Sequence, residues 1–331
     1  MPQERMPLVD RFGRRHNYLR ISITDQCNFR CGYCMPREDM EWMPRTDILS
    51  FDEIEHLAAV FASLGVDKIR LTGGEPTTRK GLPELAAGLR RIAGLRHLHL
   101  TTNGDAMRSL AVPLQAAGVN GINISLDSLS PDRFAKITRR DRLERVLDGI
   151  TASLKAGFET VKINVVVMAG VNDDELCGFV HHFRNHDVEV RFIEFMPFLS
   201  NGWEKAKMMP YREMRRRLEA EFRMTPIATV KSAVAKEFAI EGSRARVGFI
   251  TSMTDDFCGG CNRIRLTADG CVKVCLFAKT GPSLRDPLRA GATDDELVQI
   301  IRTALDQKWA GHPPMTQLVA ANDRPMITIG G

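Results

Sequence analysis

Two rhythms of apolar residues run along this chain. Over residues 18–24, 68–72, 97–102, 121–127, 160–168 and 188–195, apolar positions alternate with polar ones. That period of two predicts β-strands, because successive strand side chains point to opposite faces. Between them, over Phe51–Leu64, Leu82–Ile92, Leu143–Ala156 and Asp174–Asn185, apolar residues return every three or four positions, which predicts helices. Strand and helix alternate six times, so the expected architecture is a parallel sheet with helical crossovers.

The polar half of the alternation carries a second message. Strands covered on both faces of a parallel sheet are normally apolar throughout. Here Arg20, Ser22 and Thr24 alternate with Leu19, Ile21 and Ile23. Likewise Arg70 and Thr72, then Asn123, Ser125 and Asp127, then Lys162 and Asn164 each interleave with aliphatic residues. A lumen filled by a ligand explains one polar, basic face, and six strands fit an open, partial (βα)6 barrel. The alternative is an antiparallel sheet with one solvated face, which the intervening helices disfavour. Sites in such barrels lie at the C-terminal strand ends, where Cys27, Gly74, Thr101 and Met196 fall. Arg20, Arg70, Lys162 and Arg191 are expected to point inward. Buried cations are costly without a partner, so each either pairs with an internal acid or joins the others around a polyanion such as a triphosphate. The chain has no G-x-x-x-x-G-K-[ST] loop, so side chains would hold the phosphates.

Residues 201–203 and 208–210 read as a connection and Tyr211–Phe222 as one more helix. A weakly patterned region with short strand-like pieces follows over 227–248. We expect a core over 1–225 and a smaller α+β C-terminal domain over 226–331. Composition changes this picture little. Of 331 residues, 44% are hydrophobic and 26% charged, with a net charge of +5, as in an ordinary soluble globular protein. That balance argues against a nucleic-acid or membrane partner. No apolar run approaches the length of a membrane span, and Met1–Arg15 has no apolar signal core.

The eight cysteines change it a great deal, because seven fall into two tight clusters. Cys27, Cys31 and Cys34 stand at C-x3-C-x2-C spacing just after the first strand. Cys258, Cys261 and Cys275 stand at C-x2-C-x13-C, with Cys271 nearby; Cys177 is alone. Clustering of this kind in a long chain reads as metal binding in a reducing compartment. A cubane iron–sulfur cluster normally takes four cysteines, so three local ligands would leave one iron open to a substrate. Structural zinc is the alternative for each set, and a ribbon using Cys271 as fourth ligand is open for the second. Cys271 and Cys275 flank a predicted strand, however, and four strand residues span ~13 Å, which sets Cys271 aside.

The first cysteine motif, with Tyr33 before its last cysteine, resembles the radical S-adenosylmethionine superfamily. Gly73-Gly74-Glu75-Pro76 after the second strand resembles that family's glycine-glycine-glutamate segment. The match narrows with Cys261-Asn262-Arg263-Ile264-Arg265-Leu266, Asp269-Gly270 and Cys275-Leu276-Phe277. Together with Gly13-Arg14-Arg15-His16, Tyr18–Ser22, Arg191–Pro197, Ser283-Leu284-Arg285 and the terminal Gly330-Gly331, these resemble the GTP 3′,8-cyclase family of molybdenum cofactor biosynthesis. Gln26 departs from the usual basic residue before the first cysteine, and Met196-Pro197-Phe198 resembles the eukaryotic-type branch.

The resemblance implies two [4Fe–4S] clusters, on Cys27, Cys31 and Cys34 and on Cys258, Cys261 and Cys275. It implies S-adenosylmethionine contacts from Tyr33, Gly74, Ser125 and Met196. It implies GTP contacts from Arg20, Arg70, Thr101, Lys162, Arg191, Arg263 and Arg265, with Lys68 as a further phosphate partner. Arg263, Arg265, Gly330 and Gly331 would serve catalysis, the tail entering the active site. The implied reaction is abstraction of the ribose H3′ of GTP and attack of C3′ on guanine C8. The product would pass to a cyclic pyranopterin monophosphate synthase. A homodimer is expected, in the cytoplasm, or in the mitochondrial matrix for a eukaryotic source. Two other readings stand beside this one: a radical maturase of a peptide or tRNA with an auxiliary cluster, and a two-cluster electron carrier.

Overall fold

The computed structural model describes residues 5–35, 37–199, 201–321 and 324–330. Its strands are β1 (Tyr18–Ser22), β2 (Lys68–Thr72), β3 (His97–Thr102), β4 (Gly121–Ser125), β5 (Thr160–Val167), β6 (Glu189–Glu194), β7 (Met224–Pro226), β8 (Lys236–Ile240), β9 (Arg246–Ile250), β10 (Arg263–Leu266) and β11 (Val272–Lys273). They form one sheet in the order β11-β10-β1-β2-β3-β4-β5-β6-β9-β8-β7. The six predicted strands lie in sequence order at its centre, all parallel. This is the α/β partial barrel expected from the alternation.

The C-terminal segment does not sit apart from that sheet. Strand β9 continues it in parallel beyond β6, and β10 does so beyond β1. Both barrel edges are therefore closed by strands from beyond residue 245.

Local sequence accounts for the covering helices. The helix Phe51–Ser63 starts at a capping box, in which Ser50 Oγ accepts from Glu53 N and the Glu53 carboxylate accepts from Ser50 N at 2.6 Å. Such a cap satisfies two backbone donors that the first turn leaves open. Ile54, Leu57, Ala58 and Phe61 then fall on one face and are fully buried. They pack with Leu19, Ile21, Ile69 and Leu71 of the sheet in one core cluster. Burying such a side chain contributes ~1.5–3 kcal/mol, so the outer face of the sheet drives collapse. The opposite face carries the polar residues, yet Ser22, Arg70, Thr72, His99, Asn123, Glu189 and Arg265 are buried too. Polar residues buried on the concave face make a lumen rather than a solvated surface.

Candidate functional site

Strand register assembles the first part of the site. Arg20 on β1 pairs with Arg265 on β10 on one side and with Arg70 on β2 on the other. Three arginines thus stand abreast, and the row continues from Arg70 to His99. Arg263 and Lys68 flank Tyr18 one step below. Like charges directly opposite one another on neighbouring strands are destabilising. Burial and the nearby Arg265, Arg70 and Arg263 charges push Arg20 well below the usual arginine range. Arg70 donates to the Tyr18 hydroxyl, to Thr101 Oγ1 at 3.2 Å and towards His99 Nδ1 at 3.1 Å. Burial would raise the Tyr18 phenol, but Arg70, Arg20 and Lys68 outweigh it and bring the phenol down to about 7.

The cations farther round the sheet are paired with an internal acid. Lys162 Nζ meets Glu189 Oε2 at 2.6 Å, and Arg191 Nε meets Glu189 Oε1 at 2.6 Å. For Lys162 and Arg191 the internal acid is real. It was legible in principle, since Glu189 lies two residues before Arg191 on the same inward face.

The loop after β1 carries Cys27, Cys31 and Cys34, all half-buried. It is tied down on several sides. Gly74 N donates to Thr24 O at 2.7 Å, Glu75 N to Gln26 O at 2.7 Å, and Gly32 N to Ile137 O at 3.2 Å. A Cβ on Gly74 would lie 2.3 Å from Gln26 O, so only glycine allows this approach. The Glu75 carboxylate accepts from Thr77, Thr102 and Asn103 N, so it organises the loop and leaves any ligand contact there to the backbone. Tyr33 Oη donates to Asp127 Oδ2 at 2.6 Å, while Val166 N donates to the other Asp127 oxygen. Ser125 ends β4, and Met196, half-buried, follows β6 by two residues. Tyr33, Gly74, Ser125 and Met196 therefore all lie on the cysteine loop itself or at strand C-terminal ends.

Cys258, Cys261 and Cys275 line one cavity with Arg263, Arg265, Phe277, Lys308 and His312. Arg265 joins this cavity to the arginine row. Cys271 is not among the lining residues; its Sγ lies against Asp269 Oδ2 at 3.7 Å, and its backbone bridges to Ser283. Cys177 lies within the helix Leu176–Phe183 and packs against the core, far along the chain from both sets. The tail arrives from the other side. Gly330 O accepts from Arg265 Nη1 at 2.7 Å. Gly330 has φ +70°, and a Cβ there would lie 2.4 Å from Thr72 Oγ1. Gly331, also expected in the site, is outside the described residues.

The donor sets fit a group larger than one ion. Two thiolates on one tetrahedral zinc, with ~2.3 Å bonds, lie ~3.8 Å apart. Among the described residues, the trio of metal-ligating groups whose atoms all lie within 4.8 Å of one another is Asp256, Cys258 and His312, not either cysteine set. That trio is internally engaged: Asp256 Oδ1 accepts from Cys258 N, and the His312 ring nitrogens face Pro313 O and Ser252 O. Burial, with the Glu75 charge, pushes the Cys27 thiol up to about 12, and burial pushes Cys31 and Cys34 up as well. Such thiols become ligands only when a metal compensates the thiolate. In the second set burial raises Cys258 to about 11, whereas for Cys261 burial is outweighed by Arg263 and Lys308, which bring it to about 6.

Sequence reasoning missed Lys308, Tyr18 and His99 as site residues. Tyr18 and His99 follow the alternation that revealed Arg20 and Arg70. Lys308 follows a helix, Asp294–Asp306, and nothing local marks it.

Comparisons with known proteins agree with both halves of this site. Residues 21–183 match the Radical SAM superfamily, and residues 188–314 match Molybdenum Cofactor Synthesis C. "GTP 3′,8-cyclase, mitochondrial" of Arabidopsis thaliana is 47% identical over 325 residues, covering 98% of this chain and 83% of that one. "Molybdenum cofactor biosynthesis protein 1" of Bos taurus is 47% identical over 323 residues, covering 97% of this chain but 51% of its own, so this chain spans about half of that relative. Among solved structures, Streptococcus suis SuiB bound to precursor peptide SuiA aligns with TM-score 0.61 at 14% identity, over 95% of this chain and 76% of that one, a likeness of fold alone.

Proposed function

The chain belongs to the GTP 3′,8-cyclase family of radical S-adenosylmethionine enzymes, and on that premise we propose that it converts GTP to (8S)-3′,8-cyclo-7,8-dihydroguanosine 5′-triphosphate, the first step of molybdenum cofactor biosynthesis. The observation that carries this reading is the in-register row Arg265–Arg20–Arg70. Three neighbouring guanidinium groups on one buried face call for a polyanion, and a triphosphate supplies charge along its length. Arginine grips phosphate with paired donors.

The cofactors are two [4Fe–4S] clusters and S-adenosylmethionine. In our reading Cys27, Cys31 and Cys34 hold the first cluster and Cys258, Cys261 and Cys275 the second. Tyr33, Gly74, Ser125 and Met196 contact S-adenosylmethionine. When bound, these groups supply the radical that takes the ribose H3′ and an open iron for the guanine. The chain's own residues bind, orient and exclude water. Arg20, Arg70, Thr101, Lys162 and Arg191 would seat the triphosphate, with Lys162 and Arg191 exchanging part of their contact with Glu189 for phosphate. Arg263 and Arg265, between that seat and the second cysteine set, would fix the nucleotide across the two. Gly330 and Gly331 would close the lumen, the Gly330 carbonyl holding Arg265 in place.

We keep 1–225 and 226–331 as the segments that carry the first and second cluster. Hand-over to a cyclic pyranopterin monophosphate synthase, a homodimer, and a cytoplasmic or mitochondrial-matrix location belong to the same proposal, with no nucleic-acid or membrane partner. Among the described residues, no helix is long and apolar enough to cross a membrane. The test is anaerobic reconstitution with GTP, S-adenosylmethionine and dithionite, followed by mass spectrometry. The expected result is the cyclised triphosphate together with 5′-deoxyadenosine; 5′-deoxyadenosine without any nucleotide product would overturn the reading.

A further inference from the structure

The three cysteines of the second set come from two separate loops, and the structure shows what holds those loops in register. Asp10, 4% exposed, accepts from Phe12 N and Arg14 N through Oδ1 at 3.0 Å each. Its other oxygen accepts from Arg14 Nε at 2.7 Å, with the His16 ring 3.0 Å away. The Arg14 guanidinium is thereby aimed, and its two terminal nitrogens project across the molecule. Nη1 donates to Cys258 O and to Ala310 O at 2.8 Å each, and Nη2 donates to Trp309 O at 2.5 Å. The 309–310 segment so gripped directly follows Lys308, which is 3% exposed. Lys308 Nζ donates to Arg263 O at 3.0 Å and to Val274 O. Arg263 is two residues past Cys261, and Val274 immediately precedes Cys275.

Two cations therefore hold a carbonyl within two residues of every cysteine of the set: that of Cys258 itself by Arg14, and those near Cys261 and Cys275 by Lys308. Arg14 also fixes the residues that follow Lys308, so the two grips form one brace. We propose that Arg14 and Lys308 are the positioning residues of this cysteine set, fixing the spacing between its two loops and placing positive charge beside its thiolates. The inference rests on the reading that Cys258, Cys261 and Cys275 hold a cluster. Hydrogen bonds to charged donors are stronger than neutral ones, and a ligand set held from behind keeps its geometry. Positive charge next to a cluster favours its reduced form, which carries one more electron.

The experiment uses the full chain, reconstituted anaerobically, with Lys308→Met, Lys308→Arg, Arg14→Met, Arg14→Lys and Cys258→Ala. Iron per chain and the electron paramagnetic resonance potential of the second cluster are the readouts. Arg14→Met and Lys308→Met should fall from about eight irons towards about four, while the first cluster and uncoupled S-adenosylmethionine cleavage persist. Any second cluster left in Lys308→Met should titrate at a more negative potential, with Lys308→Arg recovering towards the parent. Arg14→Lys keeps the charge and loses the fork, so it should lose iron without the same shift in potential. The persistence of the first cluster separates loss of the brace from global unfolding; loss of both clusters together in all four variants would overturn the proposal. Eight irons in Cys258→Ala would overturn the cluster reading itself. Halved iron in Cys258→Ala, with iron and potential unchanged in every Arg14 and Lys308 variant, would overturn the brace alone.

Discussion

Replacing Arg20 by methionine should make the GTP-free protein harder to unfold and GTP binding weaker. Arg20 stands between Arg265 and Arg70 in register. Adjacent strands are ~4.8 Å apart, and splayed guanidinium groups about 7 Å apart repel by roughly 2.4 kcal/mol per pair at an effective dielectric of ~20. Two such pairs, partly screened by neighbouring polar groups, leave a gain on the order of 2 kcal/mol below about pH 7 when Arg20 becomes neutral; above it the lost attraction between Arg20 and the Tyr18 phenolate offsets the gain, so the midpoint is measured on the acid side. Methionine keeps most of the side-chain volume, so a cavity should not cancel the gain. In the complex the sign reverses. A lost charge-assisted bond to phosphate costs about 1.5–3 kcal/mol, a roughly tenfold to hundredfold weaker affinity. The two measurements are an anaerobic denaturant midpoint without GTP and equilibrium dialysis with it. The midpoint should rise, the affinity should fall, and the stabilisation conferred by saturating GTP should shrink with it. A lower midpoint with unchanged affinity would refute the argument that the row is strained in the absence of its ligand.

Tyr18 predicts a pH dependence. Its folded value of about 7 lies below the ordinary 10.0, so the ionised phenol adds stability that is full above 10 and is lost as pH falls through 7. The GTP-free midpoint should therefore rise with pH across that window relative to Tyr18→Phe, and parallel profiles for the two proteins would refute it. Because the phenolate opposes a triphosphate, GTP affinity should also weaken above about pH 7 in the parent more than in Tyr18→Phe. Cys271→Ser and Cys177→Ser should each retain about eight irons per chain and turn over, whereas Cys275→Ala should lose about half; loss of half the iron in Cys271→Ser would make Cys271 a ligand. Gly330→Ala must fit a Cβ 2.4 Å from Thr72 Oγ1 at positive φ. It should retain iron but bind GTP more weakly, through the loosened Arg265, and form little cyclised product; normal turnover would show that the tail position is not needed.

What the sequence made legible follows from how local each signal was. The six central strands were visible because each alternates by itself. Lys68–Thr72 and His97–Thr102 are found as expected, while the other four were drawn long: residues 121–127 were expected and Gly121–Ser125 is found. The helix Met107–Ala116 was expected only as one of the alternating crossovers, without bounds; Pro113 lies inside it and obscures the helical pattern. Strand β10, Arg-Ile-Arg-Leu, alternates polar and apolar residues as the central strands do but is only four residues long, and its partner lies far away in sequence. The cysteine sets were legible because ligand residues crowd together in sequence. Arg14 and Lys308 were not, because their partners lie far away in sequence and are assigned only by the tertiary fold.

The placement of β9 and β10 bears on how the protein comes into being. As the chain leaves the ribosome, β1 to β6 are complete long before residues 246–266 appear. Until then both flanks of the nascent sheet, β1 and β6, present unpaired backbone groups, the arrangement most open to aberrant strand pairing. The pairing of β1 with β10 joins residues 18–21 to 263–266, a contact that adds to topological slowness. The nucleotide seat inherits that order: Arg20 and Arg70 are in place early, but Arg265 reaches them only when the last edge is sealed. The central sheet and the arginine row are thus completed by the same event, and a chain stalled before residue 263 would expose a half-built polyanion site beside an open sheet edge.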